Sequence, residues 1–249
     1  MDLAITLLGS LALGAALGFF GGVFGIGGGI IAIPILVLGG GMEQATAQGT
    51  ALVMMAPNLL VAWWRYARRN PEGLGREALA LAVVATATTW GAAMLANDLD
   101  PALLRLLFCV FLAVLGVLQL PPRAAAAPPS RLPRPLLPLV GLAGGGSMGL
   151  LGVGGGLVAT PLLTGLFGQG QRAAQALSLA LVTPASVAAL AGYARHQSVD
   201  WTVGLALAAG GIATVSAGVA AAHAFSERTL RRAFGIMLIL TAAALAVRA

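Results

Sequence analysis

The chain has no lysine, one cysteine and two histidines, and only 9% of its 249 residues are charged. Each scarcity removes a class of chemistry. Without lysine there is no Walker-type loop, which needs that side chain on its phosphates. Cys109 alone cannot close an internal disulfide, so cysteine usage says nothing of redox compartment. His196 and His223 have no second ligand at helical or loop spacing, so neither a metal nor a cofactor is expected. The eight acidic residues (Asp2, Glu43, Glu72, Glu77, Asp98, Asp100, Asp200 and Glu227) all fall at the ends of apolar runs or in loops. No carboxylate sits mid-span to bind Na⁺ or relay a proton, which argues against a cation pump.

What is present is apolar. The composition is 59% hydrophobic, against roughly 45–50% in soluble domains. Uncharged runs cover residues 3–42, 44–64, 78–97, 106–122, 135–171, 173–194 and 201–226. Most exceed the ~20 residues that cross a bilayer as a helix, and the two longest exceed one straight span. The reading is an all-α polytopic membrane protein with no room for a soluble domain. The amino terminus "MDLAITLLGS" lacks a basic flank and is expected to stay uncleaved. A net charge of +6 would suggest nucleic acid in a soluble protein, but here the arginines crowd into short loops, as in the cytoplasmic loops of membrane proteins.

The sequence also repeats. An offset of 127 residues aligns "GGVFGIGGGIIAIP" (21–34) with "MGLLGVGGGLVATP" (148–161), and Gln44, Gln48, Pro57, Tyr66 and Arg68 with their counterparts. Two membrane repeats, 1–120 and 136–249, are thus expected around a Pro-rich cytoplasmic linker at 121–135. Each would hold a glycine-broken first segment and three further spans, giving 8 to 10 membrane segments. Such duplication is usual in secondary transporters.

The glycine cluster in each repeat admits several readings. A dinucleotide fingerprint lacks the preceding strand and the acidic residue ~20 positions on. A GxxxG seam, as in "GAALG" and "GGVFG", is a packing alternative, and would fit a membrane structural or assembly subunit that transports nothing. Three adjacent glycines followed by Pro34 or Pro161 go further, because each glycine costs about 1 kcal/mol of helix propensity. A helix broken at membrane depth survives where it lines a cavity or is buried in protein. Each break starts a new helix, whose free N–H groups favour an anion. The expected binding residues are therefore Gly27, Gly28 and Gly29 with Gln48, Thr50 and Asn58, and Gly154, Gly155 and Gly156 with Gln175, Ser178 and Thr183. Tyr66, Tyr193 and the tryptophans Trp63, Trp64, Trp90 and Trp201 are expected near span ends as interfacial anchors. "GGSMG" (145–149) matches G-x-S-x-G but lacks the strand-turn-helix setting of a nucleophile elbow, so no enzyme is expected.

With its doubled "GxFGIGGG…P" and "GLLGVGGG…P", each followed by a glutamine-bearing helix, the chain resembles the sulfite exporter TauE/SafE (TSUP) family of anion permeases. The resemblance implies an inner-membrane permease for a small sulfur-containing anion such as sulfite, thiosulfate or an organosulfonate. Partners would be that anion, the lipid bilayer and, as an open option, further copies of the chain as a homo-oligomer; nucleic acid is not among them. Arginine placement favours inverted halves, because then Arg65, Arg68, Arg69, Arg76, Arg123, Arg131, Arg134, Arg172, Arg228, Arg231 and Arg232 share the cytoplasmic side.

Overall fold

The computed structural model describes residues 3–24, 28–69, 75–120, 132–222 and 227–247. Most of the linker, 121–131, lies outside them, as does Gly27. The described residues form ten α-helices: α1 (Leu3–Phe24), α2 (Gly29–Leu38), α3 (Gln44–Arg69), α4 (Arg76–Asp98), α5 (Pro101–Gln119), α6 (Pro138–Leu151), α7 (Gly155–Gly165), α8 (Gln171–Arg195), α9 (Trp201–Ala222) and α10 (Glu227–Val247). A 3-10 turn at Arg134–Leu136 precedes α6. Segments of α1, α4, α5, α8, α9 and α10 are long and apolar enough to cross a membrane, while α2 and α7 are shorter apolar helices. Large apolar side chains such as Leu79, Val83, Leu106, Val110, Leu205 and Leu240 are exposed, as a lipid-facing surface requires.

The helices assemble into two compact units, each drawing on both halves of the sequence. One comprises residues 1–55, 99–123 and 197–249, the other residues 56–98 and 124–196. In the first unit α1 and α9 run parallel along a seam of small residues. A Cβ on Gly14 would overlap the Leu207 backbone, one on Gly18 that of Gly211, and one on Gly218 that of Phe19. Thr214 Oγ1 donates across this seam to the Ala15 carbonyl at 2.6 Å. Lipid supplies no hydrophobic drive between helices, so close backbone approach and interhelical hydrogen bonds carry the association. The same unit pairs α5 with α10 in antiparallel fashion. Gly116 lies against Gly235 and Ile239, and Arg231 Nη2 donates to the Gln119 carbonyl at 3.3 Å. Asp100 caps α5 by accepting from the Ala102 and Leu103 amides.

The second unit uses the same device. There α4 and α6 run parallel, with Gly141 against Leu81 and Val84, Gly145 against Ala85 and Gly149 against Thr89. Thr89 Oγ1 donates to the Gly145 carbonyl at 2.9 Å. Beyond α6 the chain reverses, and α7 returns beside it. The Leu132 amide, ahead of α6, donates to the Leu166 carbonyl, just past α7, at 3.0 Å. α6 and α7 thus form a hairpin whose two ends meet.

Trp201 fits the interfacial expectation, opening α9 with its side chain exposed. Trp90 does not, because it lies well inside α4, two turns from either end or more. Tyr193 departs further. It is fully buried and its hydroxyl donates to the last-turn carbonyls of α6, 3.0 Å from Gly149 O and 3.2 Å from Leu150 O. Those carbonyls have no partner within their own helix, and Tyr193 supplies one. The side chain of Tyr66 lies outside the described residues.

Candidate functional site

Both glycine clusters form turns into a new helix. Gly28 (φ 81°) precedes α2 and Gly154 (φ 90°) precedes α7, each in the left-handed region that glycine reaches at no steric cost. The first bonds of α2 run from the Ile31 and Ala32 amides to the Gly28 carbonyl. Gly29 and Ile30 therefore keep N–H groups with no acceptor among the described residues. In α7 the Val158 amide is the first to bond, to the Gly154 carbonyl at 2.8 Å, leaving Gly155, Gly156 and Leu157 as donors. Ile31 and Val158 are thus the first amides engaged within the two turns. Prolines do not end these helices. Pro34 and Pro161 lie inside α2 and α7, where they offer no N–H to the Ile30 and Leu157 carbonyls.

The turn before α2 is buried against Leu17 and the methionines Met54 and Met55 of α3. A Cβ on Gly28 would lie 2.8 Å from the Leu17 carbonyl oxygen, and one on Gly29 would overlap the Met55 side chain. Two turns back along α3, Gln48 is fully buried on the Met55 side of the helix. Thr50 is also buried, but its Oγ1 accepts from the Asp200 amide at 2.9 Å, holding the loop before α9.

The turn before α7 packs on α8 at Val182 and on α6 at Gly144 and Met148. One turn further along α7, the Thr160 and Ser178 hydroxyls share a hydrogen bond of 2.9 Å. Thr183 bonds back to the Leu179 carbonyl at 2.8 Å, and Asn58 is half-buried on α3. Gln175 is exposed on α8, unlike its counterpart Gln48. The structure thus brings Ser178 to Thr160, one turn past Gly156, and Gly28 and Gly29 close to Met54 and Met55. It does not bring Gln175 to the α7 turn.

Thr160, Met54 and Met55 escaped the sequence reading. Thr160 carried a signal, since it directly precedes Pro161 in the second glycine motif; the methionines carried none, being ordinary apolar residues of a span. Ser147 sits within α6 and donates to the Gly144 carbonyl, so its hydroxyl serves the helix. Among the described residues no cluster of His, Cys, Asp or Glu could hold a metal ion.

Comparison with known proteins matches residues 10–245 to the family model of the sulfite exporter TauE/SafE. Two curated relatives are each called "Probable membrane transporter protein". The one from Xylella fastidiosa (strain 9a5c) is 29% identical over 95% of this chain and 94% of its own length. That from strain Temecula1 / ATCC 700964 is 28% identical over the same shares. No solved structure matches the chain. With long apolar helices, glycine turns of this form and a family match over nearly its whole length, the chain is a multi-pass membrane transporter that belongs to the sulfite exporter TauE/SafE family.

Proposed function

We propose that the protein is a secondary transporter of a small anion, an oxidised sulfur species such as sulfite, thiosulfate or an organosulfonate, in the inner membrane. One observation carries this reading: each glycine turn buries the head of a helix whose first N–H groups have no acceptor among the described residues. A helix amino end contributes about 0.3–1 kcal/mol toward an anion, and up to ~2 when partly buried. Such weak donors suit a carrier that must release its cargo. The proposed binding residues are Gly28, Gly29, Gln48, Thr50 and Asn58, with Gly154, Gly155, Gly156, Ser178 and Thr183. Gly27 completes the set, and Gln175, exposed on α8, is left outside it.

Packing alone accounts for Gly14, Gly18, Gly141 and Gly145, which lie in the parallel seams. It leaves Gly28 and Gly154 unexplained, because a positive φ makes a turn and not a smooth face. Proteoliposomes should accumulate sulfite, thiosulfate or sulfoacetate and leave Na⁺, K⁺ and organic cations behind. Selective cation flux indifferent to sulfur anions would overturn the proposal.

We further propose two inverted repeats of five helices. Support comes from within each unit. The meeting of Leu132 with Leu166 returns the broken segment to its starting side, so Arg172 joins the end that holds Arg134. Arg134 also lies 3.8 Å from Glu77, next to Arg76. In the other unit α5 and α10, which correspond under the 127-residue offset, run antiparallel, and Arg231 reaches the same end as Gln119. These groupings agree with the positive-inside rule. In a C109S background, single cysteines at positions 69, 125 and 195 test the topology with an impermeant thiol reagent. Position 195 should label in intact cells and the other two only after the cells are opened. Protection at 195 would make the halves parallel.

A further inference from the structure

A buried amide at the head of α3 stands apart from both glycine turns. Gln44 is the first residue of α3 and is fully buried, yet among the described residues neither its Nε2 nor its Oε1 has a hydrogen-bond partner. An amide removed from water without partners is costly, on the order of 1–3 kcal/mol by mutational measure. Side chains of a helix tilt toward its amino end, so this amide projects past the head of α3. There the Gln44, Ala45 and Thr46 N–H groups precede the first helical bond, from the Ala47 amide to the Glu43 carbonyl. Gln48 lies buried one turn on, on the same face. Along α3, Gln44 is eleven residues from Met55, or roughly 16 Å at 1.5 Å per residue. It therefore marks a second place, away from the α2 turn.

The chemistry of the unpartnered amide selects its ligand. Nε2 and the backbone N–H groups donate, and would suit any anion. Oε1 only accepts, so a bare oxyanion would leave it unpaired. Glu43, exposed beside the same helix head, adds a negative charge that penalises a dianion more than a monoanion. A species with a negative oxygen and an O–H satisfies all three conditions. Resting on the anion-transport reading, we infer that the head of α3 binds the substrate in its hydrogen-bearing, monoanionic form, the O–H donating to Gln44 Oε1.

The test is binding of sulfite and of sulfate to the purified full-length protein, across the pH range in which sulfite gains a proton and sulfate does not. Wild-type protein should bind sulfite more tightly as the pH falls, with sulfate binding nearly flat. Q44L and the better-matched Q44M should lose that pH-dependent gain and bind the protonated form about tenfold more weakly. Folding is checked by gel filtration, and if both variants misfold, equal wild-type profiles for the two anions still overturn the inference. Equal pH profiles for sulfite and sulfate in the wild type would overturn the inference while leaving anion transport intact, as would a gain that survives Q44M. Such results would assign the amide to a buried water. Wild-type protein that binds neither anion would instead remove the transport reading on which the inference rests.

Discussion

The two glycine turns share a backbone and differ in what surrounds it. Before α2 a left-handed Gly28 leads into a helix head packed on the thioether side chains of Met54 and Met55. Before α7 a left-handed Gly154 leads into a head packed on Val182, with the Thr160 and Ser178 hydroxyls one turn along. Gln48 is buried on α3, one helix beyond the first turn's α2, and Gln175 is exposed on α8, one helix beyond the second turn's α7. The difference separates two kinds of constraint. Turning the backbone through a positive φ at the head of a new helix favours glycine, whatever surrounds the turn. The lining around the turn is free to diverge. One turn is soft and polarisable, the other hydroxylated.

Substitutions can break this comparison at the backbone or sharpen it at the lining. The largest losses are expected for G28A and G154A, since a side chain at positive φ costs about 1–3 kcal/mol. G28A adds a clash with the Leu17 carbonyl. Both should abolish anion flux while reconstituted protein is still recovered; equal loss of yield and flux would assign these glycines to packing.

G29A comes next, expected to destabilise by about 1–3 kcal/mol through overpacking against Met55. Trimming the neighbour should relieve it, so M55V with G29A should melt closer to wild type. The matching change G156A meets only ordinary contact with Val182, at 3.5 Å, and should shift the melt little. If G29A and G156A behave alike, the two linings do not differ in the way described.

The glutamines test the lining directly. Q48L should weaken anion binding by about 1–2 kcal/mol, the scale of a lost buried hydrogen bond. Q175L, at an exposed position, should change it by less than about 0.5 kcal/mol. Titration of both variants checks this, and equal losses would restore the symmetry that the sequence suggests. The smallest expected effect belongs to Y193F. Removing the donor to the Gly149 and Leu150 carbonyls should lower stability by about 0.5–1.5 kcal/mol, measured by thermal melting. An unchanged melt would mean that the Gly152–Gly154 turn holds itself without the clamp.

The interruption of the first and fifth apolar runs was legible because glycine clusters act locally, through the backbone of the residues that carry them. The absence of mid-span carboxylates was legible for the same reason, as a matter of residue type alone. Side-chain direction was not. In a soluble helix the apolar stripe marks the buried face, but here lipid and protein interior are equally apolar, so nothing in the pattern separated buried Gln48 from exposed Gln175. Tyr193 was misread on the same ground: a tyrosine near a span end suits the interface equally well, and only tertiary packing supplies the α6 carbonyls that it meets. Nor could periodicity show that α1 packs on α9 and α6 on α4, since small residues mark a seam without naming its partner.

That pairing has a consequence in time. During synthesis at about 5–20 residues per second, the chain between α1 and α9 takes roughly 10–35 s to emerge. Throughout that interval the small-residue face of α1 waits in the membrane without the helix it fits, whereas α4 and α6 meet soon after they are made. Newly made α1 is therefore the segment most exposed to wrong partners and to quality control, and a chain that stops after α5 leaves it unmatched for good.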